Sequence, residues 1–188
     1  TQDTVGTVTH VLNHLLKPTN VKLLGRAFRA FYRSEYKNDE TRQKIEELQN
    51  ALERLSATES FLYPADQQEL STILNQALSE NDEKKLIEFR DSARRWHAAA
   101  ALSLDQCILT IALDLELEPF EISTLYRLAT LIKELSEQNH YLDRESLLKE
   151  ITNIAKNERR FNGYSESDEG FDPSQYPGAV TLATMHKA

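Results

Sequence analysis

Apolar residues recur three and four positions apart from residue 5 to about residue 156, a period that fits a succession of α-helices packed on one another and little else. Ile45, Leu48, Leu52 and Leu55 form one such stripe; Leu86, Phe89, Ala93, Trp96 and Ala100 form another. Ser103, with Gln106 three residues on, has the pattern of a capping box, and the helix it opens carries Cys107, Ile108, Ile111, Ala112 and Leu115. That helix should end before Pro119, whose fixed φ and missing N–H suit the first turn of the next, marked by Ile122, Leu125, Leu128, Ile132 and Leu135. Asp143 can cap a further helix bearing Leu147, Leu148, Ile151 and Ile154. No repeat period emerges, so the expected fold class is all-α, with one multi-helix domain over residues 1–156.

The pattern breaks after Arg160. Gly163, Gly170 and Gly178 are three of the five glycines, and Pro173 and Pro177 two of the five prolines, with acidic residues among them. Residues 157–178 are therefore expected to be a linker. Beyond it, Ala179 to Met185 alternates β-branched or apolar residues with small ones, as a strand does. A lone strand leaves its backbone groups unpaired, so residues 179–188 are expected to belong to a sheet whose other strands lie in a longer parent chain. The first residue, Thr1 rather than Met, fits an excised piece, but methionine removal or tag cleavage would look the same, so the beginning is uninformative by itself.

Charge and cysteine content narrow the function. The 22 Lys and Arg against 30 Asp and Glu leave a net charge of -8, which opposes non-specific attraction to a phosphate backbone, so any nucleic-acid contact must be local. A local excess exists. From Lys17 to Lys37 six basic residues accompany one acid, Glu35, and Lys22, Arg26, Arg29, Arg33 and Lys37 share one face of a continuous helix. Such a face either follows phosphates or pairs with acids from neighbouring helices; Arg26, Arg29 and Arg33 are the candidate phosphate-binding residues. Val21, Leu24, Phe28 and Phe31 on the opposite face belong to the core.

Other constellations are weaker. In Arg94-Arg95-Trp96-His97 the cations flank an aromatic, as base-stacking sites do, but Trp96 lies on an apolar stripe and is expected to be buried. His10 and His14, four apart, could share a helix face as metal ligands, yet no adjacent Glu or third ligand is evident, and no metal is expected. Cys107, the single cysteine, excludes an intrachain disulfide and a Cys-based zinc site, and among Ile108, Leu109 and Ile111 it reads as an inert core thiol. With no basic, apolar leader and no run of 18 apolar residues, a soluble cytoplasmic protein is expected.

The terminal stretch Val180-Thr181-Leu182-Ala183-Thr184-Met185-His186-Lys187-Ala188 resembles the opening of the V-x-L-x-T-x-H-x-A motif of UvrD/Rep/PcrA-type superfamily-1 DNA helicases, which continues as K-G-L-E. Val11 to Asn20 is similar to the place where that family inserts a helical accessory domain into its second motor domain. The resemblance implies a DNA-binding, regulatory accessory domain that swivels on linkers such as residues 157–178 and touches DNA or a protein partner. It implies ATP, magnesium and 3′-to-5′ translocation for the parent only. It also implies that Thr184 and His186 lie near single-stranded DNA; a hydroxyl can meet a phosphate, and an imidazole can stack on a base. The family's Gly-Ile-Gly turn is absent around Gly6 and Gly25. The G-x-x-x-x-G-K-[ST] phosphate loop is absent as well, and the acidic pairs Asp39-Glu40, Asp82-Glu83 and Asp168-Glu169 follow no apolar strand. The chain is therefore expected to have no cofactor and no catalytic activity of its own. The rival expectation is a free-standing all-α protein-interaction domain.

Overall fold

Helix α1 (Thr4–Leu16) is rich in threonine and valine, residues whose branched side chains lose rotamer freedom in a helix. It is helical because it is buried: Thr4, Val5, Thr7, Val8, Thr9, Val11, Leu12 and His14 are all inaccessible. It packs against α2 (Val21–Phe31), α7 (Leu104–Asp114), α8 (Pro119–Gln138) and α9 (Arg144–Lys156), which surround it. The structure, a computed structural model, describes residues 4–36, 39–65 and 68–156. These belong to one compact unit that ends at Glu158, and among them there are helices and turns and no strand. The fold of the described residues is all-α. None of their helices is long and apolar enough to cross a membrane.

After α2 the chain returns as α3 (Asp39–Glu53), lying against it. Gly25 permits the close approach, since a Cβ there would stand 2.5 Å from Cγ of Glu53 in the last turn of α3. Two five-residue helices follow, α4 (Thr58–Leu62) and α5 (Leu70–Leu74), and then the long α6 (Glu80–Ala99). A cluster of rings joins α2, α4 and α6: Phe89 lies 5.2 Å from Phe28 and 6.1 Å from Trp96, both edge-on, 5.8 Å from Phe31, tilted, and 6.2 Å from Phe61, stacked. Such contacts add to the area these side chains remove from water.

Polar contacts fix how the helices meet. The Ser79 hydroxyl accepts from the Asp82 N–H at 3.2 Å, and Asp82 Oδ2 accepts from the Ser79 N–H at 3.1 Å, a capping box that opens α6. Lys44 of α3 reaches the same buried carboxylate at 3.1 Å. Burial alone would raise the Asp82 carboxyl, but the Ser79 and Lys44 contacts outweigh it and hold it below the usual range. At the far end of α6, Trp96 Nε1–H and Arg95 donate to the two oxygens of Asp114 on α7, at 2.7 and 2.6 Å.

Most helix boundaries follow the sequence pattern, with Pro119 the first residue of α8 and Asp143 accepting from the Ser146 N–H at 2.8 Å ahead of α9. Two expectations are corrected. Ser103 is the N-cap of α7, but its side chain makes no capping hydrogen bond, so the predicted capping box with Gln106 does not form. Ile122 is 40% exposed and lies off the buried face of Leu125, Leu128 and Ile132. The expected linker, residues 157–178, and the expected strand, residues 179–188, lie outside the described residues.

Removing the central ring of the aromatic cluster should be severe: Phe89→Ala is expected to lower stability by about 3–5 kcal/mol. Ser79→Ala, which removes one cap, should lower it by about 1 kcal/mol. Urea unfolding followed by circular dichroism gives both values, and equal effects of the two substitutions would contradict this account of the core.

Candidate nucleic-acid interface

Helix α2 starts cleanly because Asn20 accepts from the N–H groups of Lys22 at 3.0 Å and Leu23 at 3.3 Å. Leu24, Ala27 and Phe28 turn inward, which sends Lys22, Arg26 and Arg29 to the opposite, exposed side. At Tyr32 the backbone leaves the α-helix. The Tyr32 hydroxyl donates to the Lys85 carbonyl at 2.8 Å while its ring meets Phe28 and Phe31, and the chain continues as a 3-10 turn, Arg33–Glu35.

This ending corrects the expected five-residue basic face. A 3-10 turn advances three residues per turn, so Arg33 leaves the line of the α2 stripe. Its guanidinium turns into the protein, where it pairs with Glu121 of α8 and donates to Thr7 Oγ1 at 3.3 Å; its side chain is only 10% exposed. Glu121 also accepts from Thr4 Oγ1 at 3.0 Å and from the Glu118 N–H at 2.9 Å. Burial would raise the Glu121 carboxyl, and these donors, Arg33 first, hold it below the usual carboxylate range instead. Arg33 thus links α1 to α8 and is not available to a phosphate. Lys37, Thr184 and His186 lie outside the described residues.

Lys22, Arg26 and Arg29 remain as an exposed row. None of the three side chains has an ion-pair partner among the described residues, and Arg29 lies 4.9 Å above the centre of the Tyr36 ring. His10 stands beside this row. Burial first, then the charges of Arg26 and Arg29, lower its pKa, so the imidazole is neutral near pH 7 and adds no charge to the face.

The other sequence candidates are structural. Arg94 donates to the Leu62 carbonyl at 2.6 Å and covers the Tyr63 ring, Arg95 pairs with Asp114, and Trp96 is fully buried. His14 does not share a face with His10 as a ligand pair; it is fully buried, and its Nε2 lies 3.0 Å from Nε2 of His97 on α6. Burial, then the neighbouring His97, lowers the His14 pKa to about 3. Burial also lowers that of His97, against the opposing charge of Glu59. Among the described residues no group of three or more His, Cys, Asp or Glu side chains could hold a metal ion. Cys107 borders a gap of about 10 Å³, room for one water, between α1, α7 and α9, and burial pushes its thiol up to about 11.

An open cleft of about 490 Å³, within the usual range of small-ligand sites, lies where the end of α3 meets α4 and α5. Arg54, Ser56, Ser60, Gln68, Asn75 and Gln76 supply its polar wall, and Ala51, Leu55, Ile73 and Leu74 its apolar one. Helices of five residues are too short to display a periodic stripe, so nothing in the sequence marked these residues as neighbours. The left-handed Asn75, at φ 49°, ends α5 and is a residue type that tolerates this conformation. No family model matches the chain, and no curated protein or solved structure is detectably similar to it.

The division between recruited and free arginines is measurable. Arg33→Ala leaves Glu121 half-buried without its main partner and should destabilise by about 1–3 kcal/mol, whereas Arg26→Ala should stay within about 0.5 kcal/mol of the unaltered chain. A stable Arg33→Ala protein in urea titration would return that residue to the surface.

The buried imidazoles give a second test. A histidine whose folded pKa lies below its unfolded value stabilises nothing extra above pH 6.5, and below that pH the unfolded state takes up the proton first, so stability falls. For His14 the loss should begin near pH 6.5 and continue to about pH 3, with Asp82 and Glu121 adding theirs only at the acid end. Melting temperatures should therefore drop between pH 6.5 and 5, and the drop should be shallower in His14→Gln. An identical pH profile for the two proteins would remove His14 as the cause.

Proposed function

We propose that this chain is a nucleic-acid-contacting, regulatory helical module of a UvrD-like DNA helicase, with ATP and magnesium handled by the motor domains of a cytoplasmic parent protein. The observation that carries this reading is the row of Lys22, Arg26 and Arg29: three cations on one rigid helix face with no carboxylate partner among the described residues, in a chain of net charge -8. Several other cations are held by acids, as Arg33 by Glu121, Lys44 by Asp82, Lys85 by Glu35 and Arg95 by Asp114. An unpaired row in an acid-rich molecule marks a place for an external anion, and a row at helical spacing fits a polyanion. The all-helical fold and the resemblance of residues 180–188 to the helicase motif are consistent with this reading, and Thr184 and His186 are the further DNA-facing candidates that the resemblance implies.

Screening decides whether the overall negative charge defeats the contact. At physiological salt the range is about 8 Å, so acids on distant helices are largely hidden from a phosphate on α2. A second reading, a helical domain that docks a protein, is favoured by Ile122 and Tyr126, one turn apart on α8 and both exposed. That reading places the partner on α8 and leaves the α2 row to solvent.

Fluorescence anisotropy with labelled DNA at two salt concentrations separates the two readings. The chain should bind weakly and without sequence preference, with a logarithmic salt slope of about -0.9 per phosphate contacted on duplex and about -0.7 on single strands. The triple variant Lys22→Glu, Arg26→Glu, Arg29→Glu should lose this binding while remaining folded. Arg33 is left intact, because replacing it disturbs the α1–α8 contact. Unchanged binding by the folded triple variant would assign the α2 face to solvent.

A further inference from the structure

The cleft and the basic row are neighbours, held together at two points. Glu53 lies against Gly25, and five residues on, the Thr58 hydroxyl donates to the Pro18 carbonyl at 2.7 Å. The segment from Glu53 to Thr58 is therefore laid along the segment from Pro18 to Gly25. Lys22 lies within the second segment, and Arg54, Leu55 and Ser56, which line the cleft, lie within the first. Arg54 has no ion-pair partner among the described residues. The row of cations thus leads toward a recess with a further cation on its wall.

The lining of the recess is unlike that of a phosphate site. Gln68, Asn75 and Gln76 carry amides that can both donate and accept, Ser56 and Ser60 carry hydroxyls, and the remaining wall is aliphatic. A flat heterocycle with donors and acceptors on its edge and an apolar face matches that mixture. Amide side chains pair with the edges of nucleobases, and apolar side chains pack on their faces.

Resting on the nucleic-acid reading above, we propose that this cleft receives an unstacked base of a single strand whose backbone runs along Lys22 and Arg26, with Arg54 meeting the phosphate beside that base. The module then distinguishes single strands from duplex, because a paired and stacked base cannot enter the recess. Glu53, whose side chain lies against Gly25 at the α2–α3 contact, accepts from Gln49 at 2.7 Å.

The test uses the full chain and two strands of equal length and equal phosphate number: oligothymidylate and a strand of abasic sites. Anisotropy should show oligothymidylate bound about tenfold more tightly, the order of one good amide–base pairing. Ser56→Leu with Gln76→Leu, which keeps the charge and fills the recess, should abolish that preference while leaving salt-dependent binding of the abasic strand unchanged. Arg54→Ala should weaken both strands, without altering the preference more than severalfold. Circular dichroism and melting establish that each variant is folded; if the double substitution unfolds the chain, Asn75→Gly with Gln68→Leu, which removes two of the three amides of the recess and keeps its charge, replaces it, with the same loss of preference expected. Equal binding of the two strands by the unaltered chain overturns the base pocket and leaves the basic row standing. A preference that survives filling of the cleft overturns it as well. If neither strand binds at low salt, the nucleic-acid reading itself falls.

Discussion

Burial of a polar helix is the constraint on which this structure depends. Helix α1 is enclosed by its neighbours while carrying hydroxyls and an imidazole, and an unpaired buried polar group is expensive. Two groups turn to their own helix, Thr9 Oγ1 donating to the Val5 carbonyl at 2.7 Å and Asn13 to the Thr9 carbonyl at 2.8 Å. The others reach outward. Thr4 donates to Glu121 on α8, Thr7 accepts from Arg33 beyond α2, and His14 meets His97 on α6. Thr4, Thr7 and His14 therefore each take a partner on a different element, and apolar packing alone would not set those positions so narrowly.

The same constraint sorts the basic residues. Arg33 has the right length and geometry to serve both Thr7 and Glu121, and the 3-10 turn after Tyr32 delivers it to them. Once it is taken inward, Lys22, Arg26 and Arg29 are what remains of the row among the described residues. The charge left outside is smaller, but it is better organised. Lys22, Arg26 and Arg29 stand on a helix whose inner face is fixed by Leu24, Ala27 and Phe28, so an anion would order only side chains and not the backbone beneath them.

How much of this was legible in the sequence depended on length. The stripes of α3, α6, α8 and α9 run for several turns, and their buried residues, from Ile45 and Leu48 to Leu147 and Ile151, are those the period marks. Helix α1 could not be recognised as the centre, because a helix buried on most sides has no polar face to contrast with its apolar one. For that reason His10 and His14 read as a pair on one face, whereas one stands at the edge of the basic row and the other faces α6. The α-helical period, carried through Tyr32, puts Arg33 on the α2 stripe, and no residue type there announces the change to a 3-10 turn. The cleft was invisible for the opposite reason: α4 and α5 are too short to have a period at all.

That contrast has a functional side. The long helices supply the buried framework, and α4 and α5, which contribute Ser60 and Ile73 to Leu74 respectively, supply the walls of the recess. A short helix adds few backbone hydrogen bonds and little buried area, so most of its stability must come from what it docks on. Here Phe61 of α4 is sunk beside Phe89, and Arg94 of α6 holds the Leu62 carbonyl at the end of the same helix. The wall carrying Ser60 is thereby anchored to α6, while Thr58 anchors the start of α4 to the turn between α1 and α2. One side of the cleft is thus referred to the aromatic core and to the base of the cationic row together. A recess and a charged row tied to a common frame keep a fixed separation, and a fixed separation is what recognition of a base together with its phosphate requires.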